Sequence, residues 1–125
     1  MESIRTFFFD TYAFYELIEG NESYKQYSAG IAIITTRLNL MELHYGLLIR
    51  YGKEAAERHY YALLKFAVDV SDEVIIKANE FRASEKRKDL SYADCIGYVL
   101  AKSRNVKFLT GDKQFFGLDN VEYVK

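Results

Sequence analysis

Four acidic residues stand where their carboxylates can meet in one crevice of a folded chain. Asp10 ends the run FFFD, and Asp112 comes two residues after the run KFLT. Both are expected at the carboxyl ends of strands, where open parallel sheets bind their ligands. Glu42 lies in one predicted helix and Asp94 in the first turn of another. Oxygen ligands without His or Cys are typical of Mg²⁺ or Mn²⁺, so the pattern predicts a divalent-cation centre that hydrolyses a phosphodiester.

Three of these carboxylates also have a structural interpretation that the sequence leaves open. Asp10 and Asp112 occupy positions from which they could cap the first helix and a short helical turn. The run from Ser91 to Asp94 matches a capping box, in which the acid satisfies the start of its own helix. Gly97, at i+3 from Asp94, would let that helix pack closely.

Glu42 shares a helical face with Leu38, Tyr45 and Ile49, so its carboxylate interrupts an apolar stripe. An ionised carboxylate buried there without a partner is costly. We therefore expect Glu42 to face a cation or strong hydrogen-bond donors. The alternative is a helix rolled so that Glu42 faces solvent and a different stripe is buried, consisting of Leu40, Leu43 and Leu47.

Predicted strands alternate with predicted helices along the chain. The strands are expected at residues 4–9, 30–35, 67–70, 106–110 and 121–124. The helices are expected at residues 11–19, 37–51, 54–66, 72–87 and 91–104, with a helical turn at 112–116. Such alternation is typical of a mostly parallel sheet covered on both faces. The sequence therefore predicts an α/β fold, a three-layer α/β/α sandwich with about five strands, as a single domain over residues 1–125.

Length and composition exclude several classes of protein. A chain of 125 residues with 50% apolar content can bury one core and is not disordered. No run is long enough for a membrane helix, and the apolar residues 7–9 are too few for a signal peptide. One cysteine and two histidines offer no zinc-finger spacing and fit a reducing compartment. We expect a cytoplasmic protein with no membrane partner.

The net charge of −1 does not identify a nucleic-acid binder. If the four acids hold cations, however, the 17 basic residues outnumber the acidic residues that remain. Residues 82–88 concentrate several of these cations around Arg82 and Lys86. They are expected to contact phosphates, or else to form a solvated helix end that favours the carboxyl-terminal dipole.

Four segments, in this order and spacing, resemble the PIN-domain ribonucleases, a family that includes the VapC-type toxins of toxin–antitoxin pairs. The segments are FFFDTYAFYELI, NLMELHYGL, LSYADCIGYVLAKS and FLTGDKQF. They contain Asp10, Glu42, Asp94 and Asp112 in turn. The resemblance covers essentially the whole chain.

The resemblance implies a metal-dependent endoribonuclease in which the four acids hold one or two Mg²⁺ or Mn²⁺ ions. Hydrolysis in this family leaves a 5′-phosphate and a 3′-hydroxyl, so a pair of catalytic histidines is not needed. Thr110 matches the family's Thr/Ser position and could orient a carboxylate or a water, as could Thr11. Some members carry a further acid after the fourth, where this chain has Gln114 and Phe116. The number of metal ions therefore stays open.

The resemblance also implies an RNA substrate, a homodimer and, for a toxin, a cognate antitoxin. Within the basic segment 82–88, Arg82 and Lys86 are the residues that we expect to contact the RNA. The alternative is a catalytically inactive PIN-like scaffold within an RNA-processing assembly. Phosphoacceptor receivers and DxDxT phosphatases do not fit, because Asp10 has no second acid beside it and the chain has no proline for a Lys-Pro pair.

Overall fold

The computed structural model describes residues 4–125; residues 1–3, the start of the predicted domain, lie outside the described part. The strands are β1 (Thr6–Phe9), β2 (Ala32–Ile34), β3 (Lys107–Thr110) and β4 (Val121–Tyr123). The α-helices are α1 (Thr11–Ile18), α2 (Arg37–Tyr51), α3 (Lys53–Leu63), α4 (Asp72–Ser84) and α5 (Tyr92–Ser103). Short 3₁₀ helices span Glu22–Tyr27, Leu64–Phe66 and Lys113–Phe115.

The sheet is parallel, with the strand order β2-β1-β3-β4. It has four strands instead of about five. The segment expected as a strand at 67–70 forms only one parallel bridge, between Ala67 and Thr35. The pairing stops there because Thr36 caps α2, so the chain that residues 68–70 would pair with is already helical.

Alternate residues of β1 point to opposite faces of the sheet. Phe7 and Phe9 pack into a core with α1 and α2, including Leu43, whereas Phe8 packs into a second core with α4 and α5, including Leu100. Helices thus cover both faces, which confirms the predicted three-layer α/β/α sandwich.

Helix α4 ends earlier than predicted. It stops at Ser84 rather than near residue 87, and the Lys88 backbone N–H then closes a turn by donating to the Glu85 carbonyl oxygen at 2.8 Å. Two of the expected phosphate-binding residues therefore separate: Arg82 is on the last helical turn and Lys86 is in the loop. Among residues 4–125, no helix is both long and apolar enough to cross a membrane.

Candidate active site

Strands β1 and β3 bring Asp10 and Asp112 to the same edge of the sheet. Phe9 pairs with Leu109, and the Asp10 backbone N–H donates to the Leu109 carbonyl oxygen at 3.1 Å. The Thr110 hydroxyl donates to Asp10 Oδ2 at 2.8 Å and accepts from the Asp112 backbone N–H at 3.1 Å. One hydroxyl therefore links the ends of both strands, and it orients one of the predicted carboxylates.

Asp10 is almost completely buried, with 1% of its surface exposed. It stands at the N-cap position of α1, but its side chain makes no capping hydrogen bond, so the capping interpretation is wrong for this residue. Its Oδ1 atom has no hydrogen-bond partner among the described residues. Burial, and then the charge of Asp94, raise the pKa of Asp10 well above its usual range, against the hydrogen bond from Thr110. A buried carboxylate oxygen of this kind needs a donor or a cation.

Glu42 is half-buried and faces α1, where its Oε1 accepts a hydrogen bond from the Thr11 hydroxyl at 3.1 Å. The apolar stripe predicted around it is wrong, because Tyr45 and Ile49 are 67% and 69% exposed. The alternative stripe is the buried one, and its members are Leu40, Leu43 and Leu47. Glu42 lies beside that stripe, and its carboxylate accepts a hydrogen bond from the Thr11 hydroxyl.

Asn39 is a buried polar residue that the sequence does not single out. It is fully buried, its Oδ1 accepts from the Thr36 hydroxyl at 2.7 Å, and its Nδ2 donates to the Thr11 hydroxyl at 3.3 Å. It therefore connects the start of α2 to the threonine that contacts Glu42. The sequence offers one signal for Asn39: it is a polar residue three positions before Glu42, and residues at this spacing lie on the same side of a helix.

Asp94 belongs to the predicted capping box. Its backbone N–H donates to the Ser91 hydroxyl at 3.0 Å, and its Oδ2 accepts from the Ser91 backbone N–H at 2.8 Å. Burial and the charges of Glu42 and Asp112 nevertheless raise the pKa of Asp94 to about 6, against the Ser91 hydrogen bond. The cap uses one carboxylate oxygen of Asp94, and the charges of Glu42 and Asp112 still raise the pKa of the residue.

Asp112 caps the 3₁₀ helix that follows it, as its structural interpretation predicts. Its Oδ1 accepts from the Gln114 backbone N–H at 3.0 Å. The Gln114 side chain in turn bridges to Asp89, accepting from its backbone N–H at 2.6 Å and donating to its carbonyl oxygen at 3.1 Å. Gln114, which stands where a further acid was considered in the sequence, therefore holds the loop before α5 in place.

Arg82 and Lys86 lie outside the group of acids. Both are exposed, and both line a cavity between the end of α4 and the following loop. Arg82 donates from Nε to the Leu90 carbonyl oxygen at 3.1 Å. Neither Arg82 nor Lys86 forms a salt bridge with any of the four acids among the described residues.

A divalent cation fits the residues at the sheet edge. Across residues 4–125, no three Asp, Glu, His or Cys side chains form a ready-made metal-binding group. Mg²⁺ usually takes only one or two protein carboxylates and keeps several waters, so a preformed cage is not required. Asp10 Oδ1 is a hard oxygen without a donor, and the charges of Asp94 and Glu42 act on it.

Comparisons with known proteins agree with this architecture. The family model of the PIN domain matches residues 7–121. The fold is similar to that of VapC20 from Mycobacterium tuberculosis, a toxin that cleaves the sarcin–ricin loop, with 18% identity, a TM-score of 0.77, and 95% of this chain and 99% of that chain covered. A search of curated proteins gives no match.

Two further structures share the fold at similar identity. A toxin–antitoxin complex from Klebsiella pneumoniae is 21% identical, with a TM-score of 0.73 and coverage of 92% of this chain and 94% of that one. VapBC2 from Rickettsia felis, bound to a DNA fragment from its promoter, is 19% identical, with a TM-score of 0.71 and coverage of 96% and 99%. With a family model spanning nearly all of its length, this chain belongs to the PIN domain family.

Proposed function

We propose that this chain is a metal-dependent endoribonuclease that acts as the toxin of a toxin–antitoxin pair. The observation that carries the proposal is the unpartnered Oδ1 of buried Asp10. Membership of the PIN domain family and the fold shared with a sarcin–ricin loop-cleaving toxin support RNA as the substrate.

Asp10, Glu42, Asp94 and Asp112 would hold Mg²⁺ or Mn²⁺. A divalent ion of this kind supplies an acidified water and polarises a phosphate. Thr110 orients Asp10 by donating to Oδ2, which leaves Oδ1 free to serve as a ligand. Thr11 positions Glu42 from the neighbouring helix. Hydrolysis that breaks the bond from phosphorus to O3′ yields a 5′-phosphate and a 3′-hydroxyl, without using the 2′-hydroxyl.

The partners belong to the same proposal. Arg82 and Lys86 would contact RNA phosphates, whose binding depends on counterion release. The Klebsiella and Rickettsia neighbours are toxin–antitoxin assemblies, which supports a cognate antitoxin for this chain. We also expect a homodimer. Light scattering of the purified chain, alone and after co-expression with the product of an adjacent gene, measures both associations.

A catalytically inactive scaffold is the competing proposal. It predicts folding and partner binding without a use for a metal. The four acids favour the nuclease. Burial, and then the charge of Asp94, raise the pKa of Asp10. An ionised Asp10 therefore lowers the free energy of unfolding unless a bound cation offsets this cost.

The test is cleavage of a diverse RNA pool in Mg²⁺, Mn²⁺ or EDTA by the parent and by Asp94→Asn, with mapping of product ends. Asp69→Asn, at an exposed position before α4, is the matched control. We expect metal-dependent cuts with 5′-phosphates in the parent and the control only. Equal cutting by Asp94→Asn, or cutting in EDTA, would contradict the proposal.

A further inference from the structure

A basic cavity of about 460 Å³ lies between the end of α4 and the loop that leads to α5. Its walls include Arg82, Lys86 and Lys88; among residues 4–125, Asp89 is the one acidic residue that lines it. The volume is within the range of small-ligand sites, and the charge favours an anion. None of the four acids of the sheet edge lines it, so it is a separate feature.

Gln114 joins this cavity to the acids through continuous hydrogen bonds. On the cavity side, Lys88 Nζ donates to the Gln114 carbonyl oxygen at 2.7 Å, and the Gln114 side chain is hydrogen-bonded to the backbone of Asp89. On the other side, its backbone N–H donates to Asp112 Oδ1 at 3.0 Å. Gln114 therefore connects one wall of the cavity to the side chain of Asp112.

An aromatic platform stands beside this cavity at the start of α5. Tyr92 is 60% exposed, although it is a large ring, and the Arg82 guanidinium lies over it at 4.3 Å. The hydrogen bond from Arg82 Nε to the Leu90 carbonyl oxygen fixes the guanidinium in place. Because Arg82 covers one face of the Tyr92 ring, the other face and the edges are the parts exposed to solvent.

We propose that Tyr92, braced by Arg82, stacks on an unpaired base of the RNA substrate. The proposal rests on the nuclease function proposed above. Unpaired bases stack on aromatic rings and guanidinium planes, and Lys86 and Lys88 supply charge for the phosphate. Tyr92 and Asp94 both lie in the first turn of α5, two positions apart, so their side chains leave the helix in different directions.

An acidic protein segment is the competing occupant of this surface. It would use the three cations but would gain little from the Tyr92 ring stacked with Arg82. The ring therefore favours a nucleic acid base.

The test uses a single-stranded RNA oligonucleotide of mixed sequence that contains 4-thiouridine, irradiated with the protein in EDTA so that it is not cut. Mass spectrometry of the adducts and the RNA dissociation constant are the two readouts. We expect adducts on Tyr92, a loss of affinity of at least about fivefold in Tyr92→Leu, and retention of affinity in Tyr92→Phe. Tyr61→Leu, at a 69% exposed ring of α3, is the matched control and should bind like the parent.

Equal RNA affinity of the parent and Tyr92→Leu would overturn the subsite, and the nuclease would stand if metal-dependent cleavage persists. Adducts on Tyr92 without any metal-dependent cleavage would support the subsite and overturn the nuclease. Weaker binding of a poly-glutamate peptide in Tyr92→Leu, with RNA affinity unchanged, would assign the surface to a protein partner and overturn the subsite.

Discussion

Asp10 and Asn39 show how far single residues can be placed from a sequence. The position of Asp10 could be predicted because a buried strand ends where its apolar run ends, and that end is an edge of the sheet. Asn39 could not be predicted, because its partner Thr11 is 28 positions away and helical periodicity carries no information about contacts between elements. Glu42 is an intermediate case: the predicted apolar stripe around it is wrong, and its carboxylate accepts one hydrogen bond, from the Thr11 hydroxyl.

The Thr110 hydroxyl gives a prediction at this scale. Thr110→Val removes the donor to Asp10 Oδ2 and the acceptor for the Asp112 N–H, while it keeps the shape of the side chain. We expect Mn²⁺ affinity to fall about 10- to 100-fold, since groups that orient ligands typically have effects of this size. Calorimetric titration with Mn²⁺ measures it. Thr110→Ser keeps the hydroxyl and should bind Mn²⁺ like the parent; equal affinity in Thr110→Val would refute the orienting role.

At the scale of elements, long helices with clear end signals could be predicted and short segments could not. The bounds of α2 match the prediction because Thr36 caps its start and Gly52, with a φ of 91°, ends it. The 3₁₀ helix Glu22–Tyr27, six residues long, is too short to show a helical period. Its buried Tyr24 donates to the carbonyl oxygen of Val124, 100 positions away. Contacts of that kind leave no local pattern in the sequence.

The close approach of α5 to the sheet depends on Gly97. A Cβ atom there would lie 2.7 Å from Phe8 and 3.2 Å from Phe108, and both rings are fully buried. Gly97→Ala should therefore destabilise the fold by about 1–3 kcal/mol, although the same change in an exposed helix would stabilise it. Urea unfolding measures the difference. Phe8→Leu should partly rescue Gly97→Ala; a more stable single variant would show that α5 is not packed this closely.

The 3₁₀ helix Glu22–Tyr27 also gives a pH prediction. Burial and the hydrogen bond to Glu122 raise the pKa of Tyr27 to about 12. Because the value is about 10 in the unfolded chain, the protonated phenol stabilises the fold fully below about pH 10, and this contribution is lost as the pH rises toward 12. We expect the free energy of unfolding to fall over this interval less steeply in Tyr27→Phe than in the parent, by urea unfolding at several pH values. Identical slopes would exclude Tyr27 as a source.

At the scale of the whole molecule, the distribution of charge matters more than its sum. The net charge is −1, yet acids gather at the carboxyl edge of the sheet, and cations gather at the end of α4. The three layers and the sheet edge could be predicted from the alternation of strands and helices. The junction made by Gln114 could not, since it depends on a loop that meets the 3₁₀ helix Lys113–Phe115 from 25 positions away.

The central claim is that Asp10, Glu42, Asp94 and Asp112 form one divalent-cation centre, and thermal unfolding during a Mn²⁺ titration tests it most directly. A ligand that binds only the folded state raises its stability by about 2.7 kcal/mol at 100 times the dissociation constant. We expect Mn²⁺ to raise the Tm of the parent and of the control Asp69→Asn by several degrees. Each of Asp10→Asn, Glu42→Gln, Asp94→Asn and Asp112→Asn should reduce that gain. A parent whose Tm is unchanged at millimolar Mn²⁺, or four variants that gain as much as the parent, would contradict the account.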